Sequence, residues 1–202
     1  MDVTDSRPPE PCGSGGYFNQ YHKRSANIGF TLIELLVALA ITAILFGIGL
    51  PGISSILATN RLTTHINLLS AAMAYTRSVA VLHNQAAIIC KSSNGQDCDV
   101  KAKWENGWII YFDKDGDRTL NTEKGDEVLR VQSALTATTL RYKAFGPRGY
   151  IAYQADGFTE TNGTFTLCIK NRPKIKKALI LSKSGRLRVS QTGYAGKPLK
   201  CP

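Results

Sequence analysis

The chain has 202 residues, of which 43% are hydrophobic, 25 are lysine or arginine and 15 are aspartate or glutamate, so its formal charge is +10. A disordered chain would contain fewer apolar residues, and a small disulfide-rich domain would contain a larger share of cysteine than five in this length. The length is that of about one ordinary domain. The apolar residues are unevenly distributed, and a large block of them near the N-terminus indicates the class of protein.

This apolar block runs from Phe30 to Leu50, and its only polar residues are Thr31, Glu34 and Thr42. As a helix it would be about 30 Å long, which is the thickness of the hydrocarbon core of a bilayer. It is longer than the apolar region of a cleaved secretory signal, and a buried core helix is the other alternative. Lys23 and Arg24 precede the block and no charge follows it until Arg61. The pattern therefore predicts a single membrane span with the N-terminus in the cytoplasm and the residues after the span outside.

Glu34 is the residue that a plain membrane anchor does not explain. A carboxylate in hydrocarbon costs at least ~2.5 kcal/mol, so an acid within a span points to a function and to a cationic partner. The block contains no basic side chain. The partner must therefore come from another chain, or from an amine made by cutting this one. A cut after Gly29 would create a free α-amino group on Phe30.

The residues around this acid, Gly29 to Val37 with the sequence GFTLIELLV, closely resemble the type IV prepilin signature. The resemblance implies that a prepilin peptidase cuts after Gly29 and methylates the new N-terminal Phe30. It also implies that Glu34 pairs with the N-terminus of a neighbouring subunit during assembly. Pro51 is where pilins commonly carry a helix-bending proline. The leader, residues 1–29, is longer than in most members, which a start site placed too far upstream would explain.

Beyond the apolar block, further apolar residues recur every three to four positions, which predicts that the helix continues through residues 52–84. These residues are Ile53, Ile56, Leu57, Leu62, Ile66, Leu69, Met73 and Val79. Pro51 and Gly52 should bend the helix rather than end it, and the helix should end near His83. His65 and His83 have no second ligand at metal-binding spacing, so both are predicted to be surface residues.

From Ala86 onward the sequence consists of short β-rich runs separated by turn signals such as SerSerAsnGly and ThrAsnGly. The runs are AAIICK, GWIIYFD, EVLRVQS, TLRYKA, YIAYQ, TFTLCIK, KALILSK and RLRVS. The predicted fold is α+β and type IV pilin-like, with one long N-terminal helix packed on an antiparallel β-rich head. We divide the chain into the leader (1–29), the membrane half (30–51) and periplasmic half (52–84) of the helix, and the head (85–202).

A series of short motifs follows a characteristic order in the head. The motifs are Gly107 to Asp113, Glu127 to Arg130, Phe145-Gly146, Gly157, Gly163 to Phe165, Leu167-Cys168 and Ser184 to Arg188. In this order they resemble the GspH/FimT family of minor pilins and pseudopilins. In the FimT-like branch, a Gly-Arg-x-Arg element is associated with DNA capture for natural transformation, which implies that role for Gly185, Arg186 and Arg188. In the GspH-like branch, the members lie at the tip of the type II secretion pseudopilus and contact other pseudopilins.

The positive charge lies in the last third of the chain. The leader holds three basic and three acidic residues, residues 30–140 hold nine and ten, and residues 141–202 hold 13 and two. One-sided basicity is expected of a polyanion-binding surface, and it favours the DNA-binding branch over the secretion pseudopilin. Contact with anionic lipid, an acidic protein partner, or no specific role stay open. The candidate DNA-binding residues are Lys170, Arg172, Lys174, Lys176, Lys177, Lys183, Gly185, Arg186 and Arg188.

Two local features support this surface. If Arg186, Leu187 and Arg188 lie in a strand, alternation places both guanidinium groups on one face, with Leu187 buried behind them. Gly185 would let the backbone turn and approach a phosphate closely. Contacts of arginine with phosphate give binding that does not depend on sequence, as the uptake of arbitrary DNA requires.

An acidic motif lies in the loop after the GWIIYF run. Asp113, Asp115 and Asp117 alternate there, and carboxylate oxygens at such spacing suit calcium. An EF-hand would need Gly and Glu where this chain has Arg118 and Lys124. The sequence therefore predicts a solvated hairpin turn and no metal.

Of the five cysteines, Cys12 lies in the leader. The other four would face the oxidising periplasm, where an even number predicts disulfides, and four cysteines allow three pairings. Cys90 and Cys98 flank a turn and could form a disulfide across a hairpin, in which case Cys168 would pair with Cys201. The sequence contains no CxxC pair that would favour a zinc site.

The sequence contains no nucleophile elbow, phosphate-binding glycine loop or zinc-protease motif. We therefore expect neither enzymatic activity nor a cofactor. The expected partners are DNA, other pilins or pseudopilins, the prepilin peptidase and the inner membrane.

Overall fold

The computed structural model describes residues 29–144 and 149–201, apart from the side chains of residues 47–52. Helix α1 spans Leu32–Leu82. The eight strands that follow are β1 (Ala87–Lys91), β2 (Trp108–Phe112), β3 (Glu127–Gln132), β4 (Thr138–Ala144), β5 (Tyr150–Tyr153), β6 (Gly163–Ile169), β7 (Arg172–Leu181) and β8 (Leu187–Ser190). Each predicted β-rich run thus overlaps one of these strands, although β7 begins five residues before the predicted run KALILSK, and the predicted fold class is confirmed. The leader before Gly29, with Cys12, and the Phe145-Gly146 motif lie outside the described residues.

The chain divides into two compact units, Met1–Phe46 and Gly47–Pro202. In the first unit, α1 begins with a capping box: the backbone N–H of Glu34 donates to Thr31 Oγ1 at 3.3 Å, and the backbone N–H of Thr31 donates to Glu34 Oε2 at 3.4 Å. Glu34 therefore has a hydrogen-bond partner in its own chain, which the sequence argument overlooked.

The apolar side chains of α1 that precede residue 47 are exposed. Within the part of the chain that the structure describes, no helix is sufficiently long and apolar to cross a membrane. The predicted single span therefore stays a prediction. The helix does not end at Pro51, in agreement with the sequence argument. A bend at that position also stays a prediction, because the side chains there lie outside the described residues.

In the second unit, one face of α1 is buried from Ala58 onward. Leu62, Ile66, Leu69 and Met73 follow on that face at helical spacing and are almost fully buried. Burial of each such side chain contributes roughly 1.5–3 kcal/mol, so this stripe is a main source of the stability of the head.

Three of the apolar residues whose spacing predicted the continuation of the helix are exposed. Ile53, Ile56 and Leu57 are 55%, 60% and 60% exposed. These side chains are exposed because they precede Ala58, the first helical residue that packs into the core of the head. Apolar spacing identifies the face of a helix, but not the point along its length at which another element covers it.

The strands form two antiparallel sheets. Sheet A has the order β3-β2-β1-β5, and sheet B has the order β4-β6-β7-β8. Ile89 and Ile110 of sheet A and Phe165 and Leu179 of sheet B pack in one core with the buried face of α1. Both sheets therefore turn one face to the helix, as strand alternation requires.

Each sheet carries one disulfide. Cys90 in β1 is bonded to Cys98, and Cys168 in β6 is bonded to Cys201 near the C-terminus. This is the pairing suggested from the sequence. The second bridge holds the C-terminal segment over the outer face of sheet B, where Leu199 packs in a separate cluster with two residues of β7, Ala178 and Ile180.

His65 is half-buried, so the prediction of a plain surface residue is wrong. Its Nδ1 lies 2.7 Å from Oγ1 of Thr138, a buried residue at the start of β4. Burial lowers the pKa of His65, and the nearby charge of Arg61 lowers it further. His83 is exposed, and its ring meets Phe112 edge to face.

Candidate nucleic-acid interface

The hairpin between β7 and β8 carries the residues of the Gly-Arg-x-Arg element. Lys183, Arg186 and Arg188 are exposed, and Leu187 is half-buried against the common core. Because β8 begins at Leu187, Arg186 belongs to the turn and strand alternation does not determine its direction. Arg188 lies opposite Ile180, on the outer face of sheet B.

Gly185 has the positive φ of +72° that a tight turn requires, but it is buried. A Cβ at this position would lie 2.3 Å from the carbonyl oxygen of Gly157 and 3.1 Å from Nε of Arg77. The close backbone approach that we expected toward a phosphate is therefore made toward the protein itself. The glycine therefore shapes the turn, and its backbone faces the protein rather than solvent.

The other basic candidates divide into two groups. Lys170 and Lys174 are exposed. Arg172, Lys176 and Lys177 are half-buried, and each donates a hydrogen bond to a neutral oxygen of its own chain. These bonds join Arg172 Nη2 to Ser54 Oγ (3.0 Å), Lys176 Nζ to the Leu199 carbonyl (3.0 Å) and Lys177 Nζ to Thr63 Oγ1 (3.4 Å). These hydrogen bonds hold the three side chains against their own chain and so reduce their reach toward a ligand.

The register of sheet B explains why Lys177 turns inward. Lys177 lies opposite Leu167 in the regular part of the pairing of β6 with β7, and the register shifts only beyond it, between Cys168 and Ile169. Leu167 is a core residue, so the side chain of Lys177 begins on the face toward α1 and reaches Thr63 there. Alternation with the core residues Leu179 and Leu181 places Lys177 on the same face.

The acidic loop, defined as residues 113–126 between β2 and β3, is an internally bonded structure. Asp113 is buried and accepts the backbone N–H groups of Gly116 (3.0 Å) and Arg118 (3.3 Å). Burial raises the pKa of Asp113, and these N–H groups oppose the rise. Asp126 is also buried and accepts two backbone N–H groups. The prediction of a solvated turn is therefore wrong for Asp113, whereas Asp115 and Asp117 are exposed as expected.

The three carboxylates that suggested calcium lie close together. Oxygen atoms of Asp113, Asp115 and Asp117 all lie within 4.8 Å of one another. The ammonium group of Lys124 lies 3.3 Å from Asp115 and 2.8 Å from Asp117. Its hydrogen bond lowers the pKa of Asp117. The chain thus supplies its own cation at this cluster.

An open groove of about 730 Å³ lies between the exposed side of α1 and the β7–β8 turn. Its lining residues are Ser70, Ala74, Arg77, Ser78, Val81, Leu82, Gly185, Arg186 and Leu187. The sequence argument missed its helical side, because Arg77 is an isolated basic residue within a neutral stretch and lies more than a hundred positions from Arg186. No local pattern joins the two.

A long N-terminal helix against antiparallel sheets is the architecture of a type IV pilin-like protein. The sequence model of the family described as "Type II transport protein GspH" matches residues 65–193, and that of the "Prokaryotic N-terminal methylation motif" matches residues 24–50. The first match covers more than half of the chain, so this protein belongs to the GspH family. Its minor pilins and pseudopilins are structural proteins, and the absence of enzymatic activity in this chain stays a prediction.

Two types of solved structure resemble the chain. The type IV minor pilin FimU of Pseudomonas aeruginosa is 21% identical with a TM-score of 0.51, over 68% of this chain and 95% of FimU. The minor pseudopilin EpsH of the Vibrio cholerae type 2 secretion system is 13% identical with a TM-score of 0.47, over 64% of this chain and 95% of EpsH. No curated protein sequence matches the chain. At these identities the FimU match supports the fold alone.

Proposed function

We propose that this protein is a minor type IV pilin that binds DNA without sequence preference through its basic C-terminal region, and that it contributes to DNA uptake in natural transformation. The observation that carries the proposal is the state of Arg186 and Arg188. Both are exposed, and no carboxylate among the described residues forms an ion pair with either. They lie in residues 141–202, which contain 13 basic residues and only two acidic ones.

Phosphate is the chemical group that such a surface recognises best. A guanidinium group donates to two phosphate oxygens at once, and every nucleotide presents the same phosphate, so binding does not depend on base sequence. The exposed Lys183, Lys170 and Lys174 add an electrostatic field around the two arginines. Arg172, Lys176 and Lys177 are expected to contribute less than these, because each is already held by its own chain.

We also propose that the precursor is cut after Gly29, that Phe30 is methylated, and that Glu34 aids assembly by pairing with a neighbouring subunit's N-terminus. The match of the methylation motif to residues 24–50 supports this processing. The proposed localisation is a single-pass inner-membrane protein that enters a filament with other pilins. In the isolated chain the capping box holds Glu34, so assembly would exchange its bonds to Thr31 for a bond to an amine.

DNA binding is tested with detergent-solubilised mature protein and DNA of several unrelated sequences. The double variant Arg186→Ala/Arg188→Ala should bind every DNA more weakly, and the slope of log K against log salt should flatten by about 1.4–1.8, at roughly 0.7–0.9 per lost phosphate contact. Lys101→Ala/Lys103→Ala is the matched control, because it removes two exposed positive charges next to sheet A. Equal affinity and slope for both double variants would refute the proposed site.

The second candidate function is a minor pseudopilin of a type II secretion system, which the description of the matching family favours. The two functions separate in cells. Under our proposal, the strain carrying Arg186→Ala/Arg188→Ala transforms poorly but still secretes and makes pili. Normal transformation together with lost secretion would instead assign the chain to the pseudopilus and its basic tail to an acidic protein partner.

Processing is tested by replacing Gly29 with a bulky residue such as Leu. The uncut precursor should accumulate in the inner membrane, because the peptidase would meet a side chain where the signature has none. Glu34→Ala should still be cut but should assemble poorly. Mass spectrometry of the membrane fraction distinguishes the cut form from the uncut form, and normal maturation of Gly29→Leu would contradict the prepilin interpretation.

A further inference from the structure

The groove between α1 and the β7–β8 turn brings together two arginines from distant parts of the chain. Arg77 comes from α1 and Arg186 from the turn, and both line the same groove. Ser70 and Ser78 add hydroxyl groups on its helical side. The described residues that line the groove include no aspartate or glutamate, so its fixed charge is positive.

Arg77 is held in place by two glycine turns. A Cβ at Gly157 would lie 3.0 Å from Nε of Arg77, and a Cβ at Gly185 would lie 3.1 Å from the same atom. Both glycines have positive φ, +77° and +72°, so the two turns close on one edge of the guanidinium group. The side chain is therefore ordered before any ligand arrives, which lowers the entropic cost of binding.

The charge of Arg77 is not neutralised within the described residues. Arg77 is half-buried, yet the described ion pairs join other residues: Arg118 to Glu160, Lys124 to Asp115 and Asp117, and Arg141 to Glu105. A partly buried charge normally has a partner, because removing it from water is costly. A phosphate in the groove would supply that partner.

The carbonyl groups in the last turn of α1 should repel an anion in the groove only weakly. The last helical carbonyls carry partial negative charge, but those of Val79, Ala80 and Val81 already accept N–H groups of residues 83–85, at 3.0–3.3 Å. The backbone acceptors nearest to this side of the groove are thus occupied.

We infer that the groove binds one phosphodiester group of DNA between Arg77 and Arg186, with Ser70 and Ser78 as additional hydrogen-bond donors. The inference rests on the proposed function and extends the binding site to α1. The described lining residues include no aromatic ring on which a base would stack and no carboxylate that would accept from a base amino group. The groove therefore recognises the backbone of DNA rather than its bases.

Substitutions at Ala74 test this inference without disturbing Arg77, whose replacement would also disturb the packing of the two glycine turns. Ala74 is exposed and lines the groove. Ala74→Asp adds a negative charge there, and Ala74→Asn adds a side chain of nearly the same shape without charge. At 0.1 M salt, Ala74→Asp should bind DNA about 3- to 10-fold more weakly than Ala74→Asn, as expected for one charge within several ångströms of a phosphate.

Asn60→Asp is the matched control on the same helix. Asn60 is exposed and does not line the groove, and its distance from Ala74 along α1 is roughly 20 Å, about two Debye lengths at 0.1 M salt. This variant should bind DNA like the unchanged protein at 0.1 M salt. All variants are measured as full mature chains in detergent, with circular dichroism as the check of folding.

The outcomes separate this inference from the function on which it rests. If the unchanged protein binds DNA and Arg186→Ala/Arg188→Ala weakens it, but Ala74→Asp binds like Ala74→Asn, the groove is not the phosphate site and the proposed function stands. If the unchanged protein does not bind DNA, the proposed function fails. If Ala74→Asp weakens binding to anionic vesicles but not to DNA, the occupant is a lipid headgroup and the inference is overturned.

Discussion

The acidic loop and the β7–β8 hairpin each gather charges of one sign, but they use those charges differently. In the acidic loop, Asp113 and Asp126 accept backbone N–H groups, and Asp115 and Asp117 share the ammonium of Lys124. In the hairpin, Arg186 is exposed and forms no ion pair among the described residues. One charge cluster stabilises its own loop, and the other is available to a partner.

The comparison shows why charge density alone is a weak guide to function. Both regions stand out in the sequence, and the acidic one even has the spacing of a cation site. The distinction comes from partners, because a charge that is already bonded within the chain gains little from a ligand, whereas an unpaired one gains a full charge-assisted bond. Even in the basic tail, the bond of Lys177 to Thr63 reduces its expected contribution.

The largest expected effect is the loss of unfolding free energy when a disulfide is removed, and it should differ between the two sheets. Cys168–Cys201 closes a separation of 33 residues and Cys90–Cys98 one of eight. The chain-entropy relation predicts that the double Ser variant of the longer bridge loses about 3–4 kcal/mol of unfolding free energy, roughly 1 kcal/mol more than that of the shorter bridge. Urea unfolding of both variants gives the comparison. Equal losses would mean that the C-terminal segment adds little constraint to sheet B.

The next effect contrasts a bonded charge with an unpaired one. Asp113→Ala should destabilise the head by about 2–3 kcal/mol, because it leaves two loop N–H groups without their carboxylate. Arg186→Ala should change stability by less than about 0.5 kcal/mol, as an exposed substitution does. Asp115→Ala, which removes an exposed ion pair with Lys124 and one exposed hydrogen bond from the backbone N–H of Asp117, is the control within the loop and should cost at most about 1 kcal/mol. A larger loss for Arg186→Ala than for Asp113→Ala would reverse the comparison.

The smallest effect concerns pH at the contact between α1 and sheet B. The pKa of His65 is lowered in the folded head, so the fold favours the neutral ring. The resulting stability is fully present above the unfolded pKa of about 6.5 and is lost as pH falls through the lower folded pKa. His65→Gln should therefore show a flatter decline of unfolding free energy between pH 7 and pH 5 than the unchanged protein.

The difference in pH dependence between the unchanged protein and the His65→Gln variant measures the contribution of His65 alone. The raised pKa of Asp113 acts in the opposite sense, since it favours the protonated fold at low pH, and that contribution is common to both. The loss due to His65 should be smaller than the cost of Asp113→Ala. Parallel declines for the two proteins would show that His65 does not affect stability in this range.

Much of the architecture follows from the sequence alone. Alternating and helical apolar patterns indicated one long helix and the eight strands, because burial of one face imposes its period on the residues. The Thr-x-x-Glu spacing of Thr31 and Glu34 is also the sequence signature of a capping box. The surplus of positive charge in residues 141–202 follows from a count of their charged residues alone.

Other properties depended on the tertiary structure. Packing against Gly157 and Arg77 buried Gly185, and the position of α1 beside β7 brought Thr63 within hydrogen-bond reach of Lys177. The groove joins Arg77 to Arg186 across more than a hundred residues. Local patterns arise from the solvent exposure of neighbouring residues and are visible in the sequence. Contacts between distant segments depend on register and on where each element ends, and only the folded chain determines those.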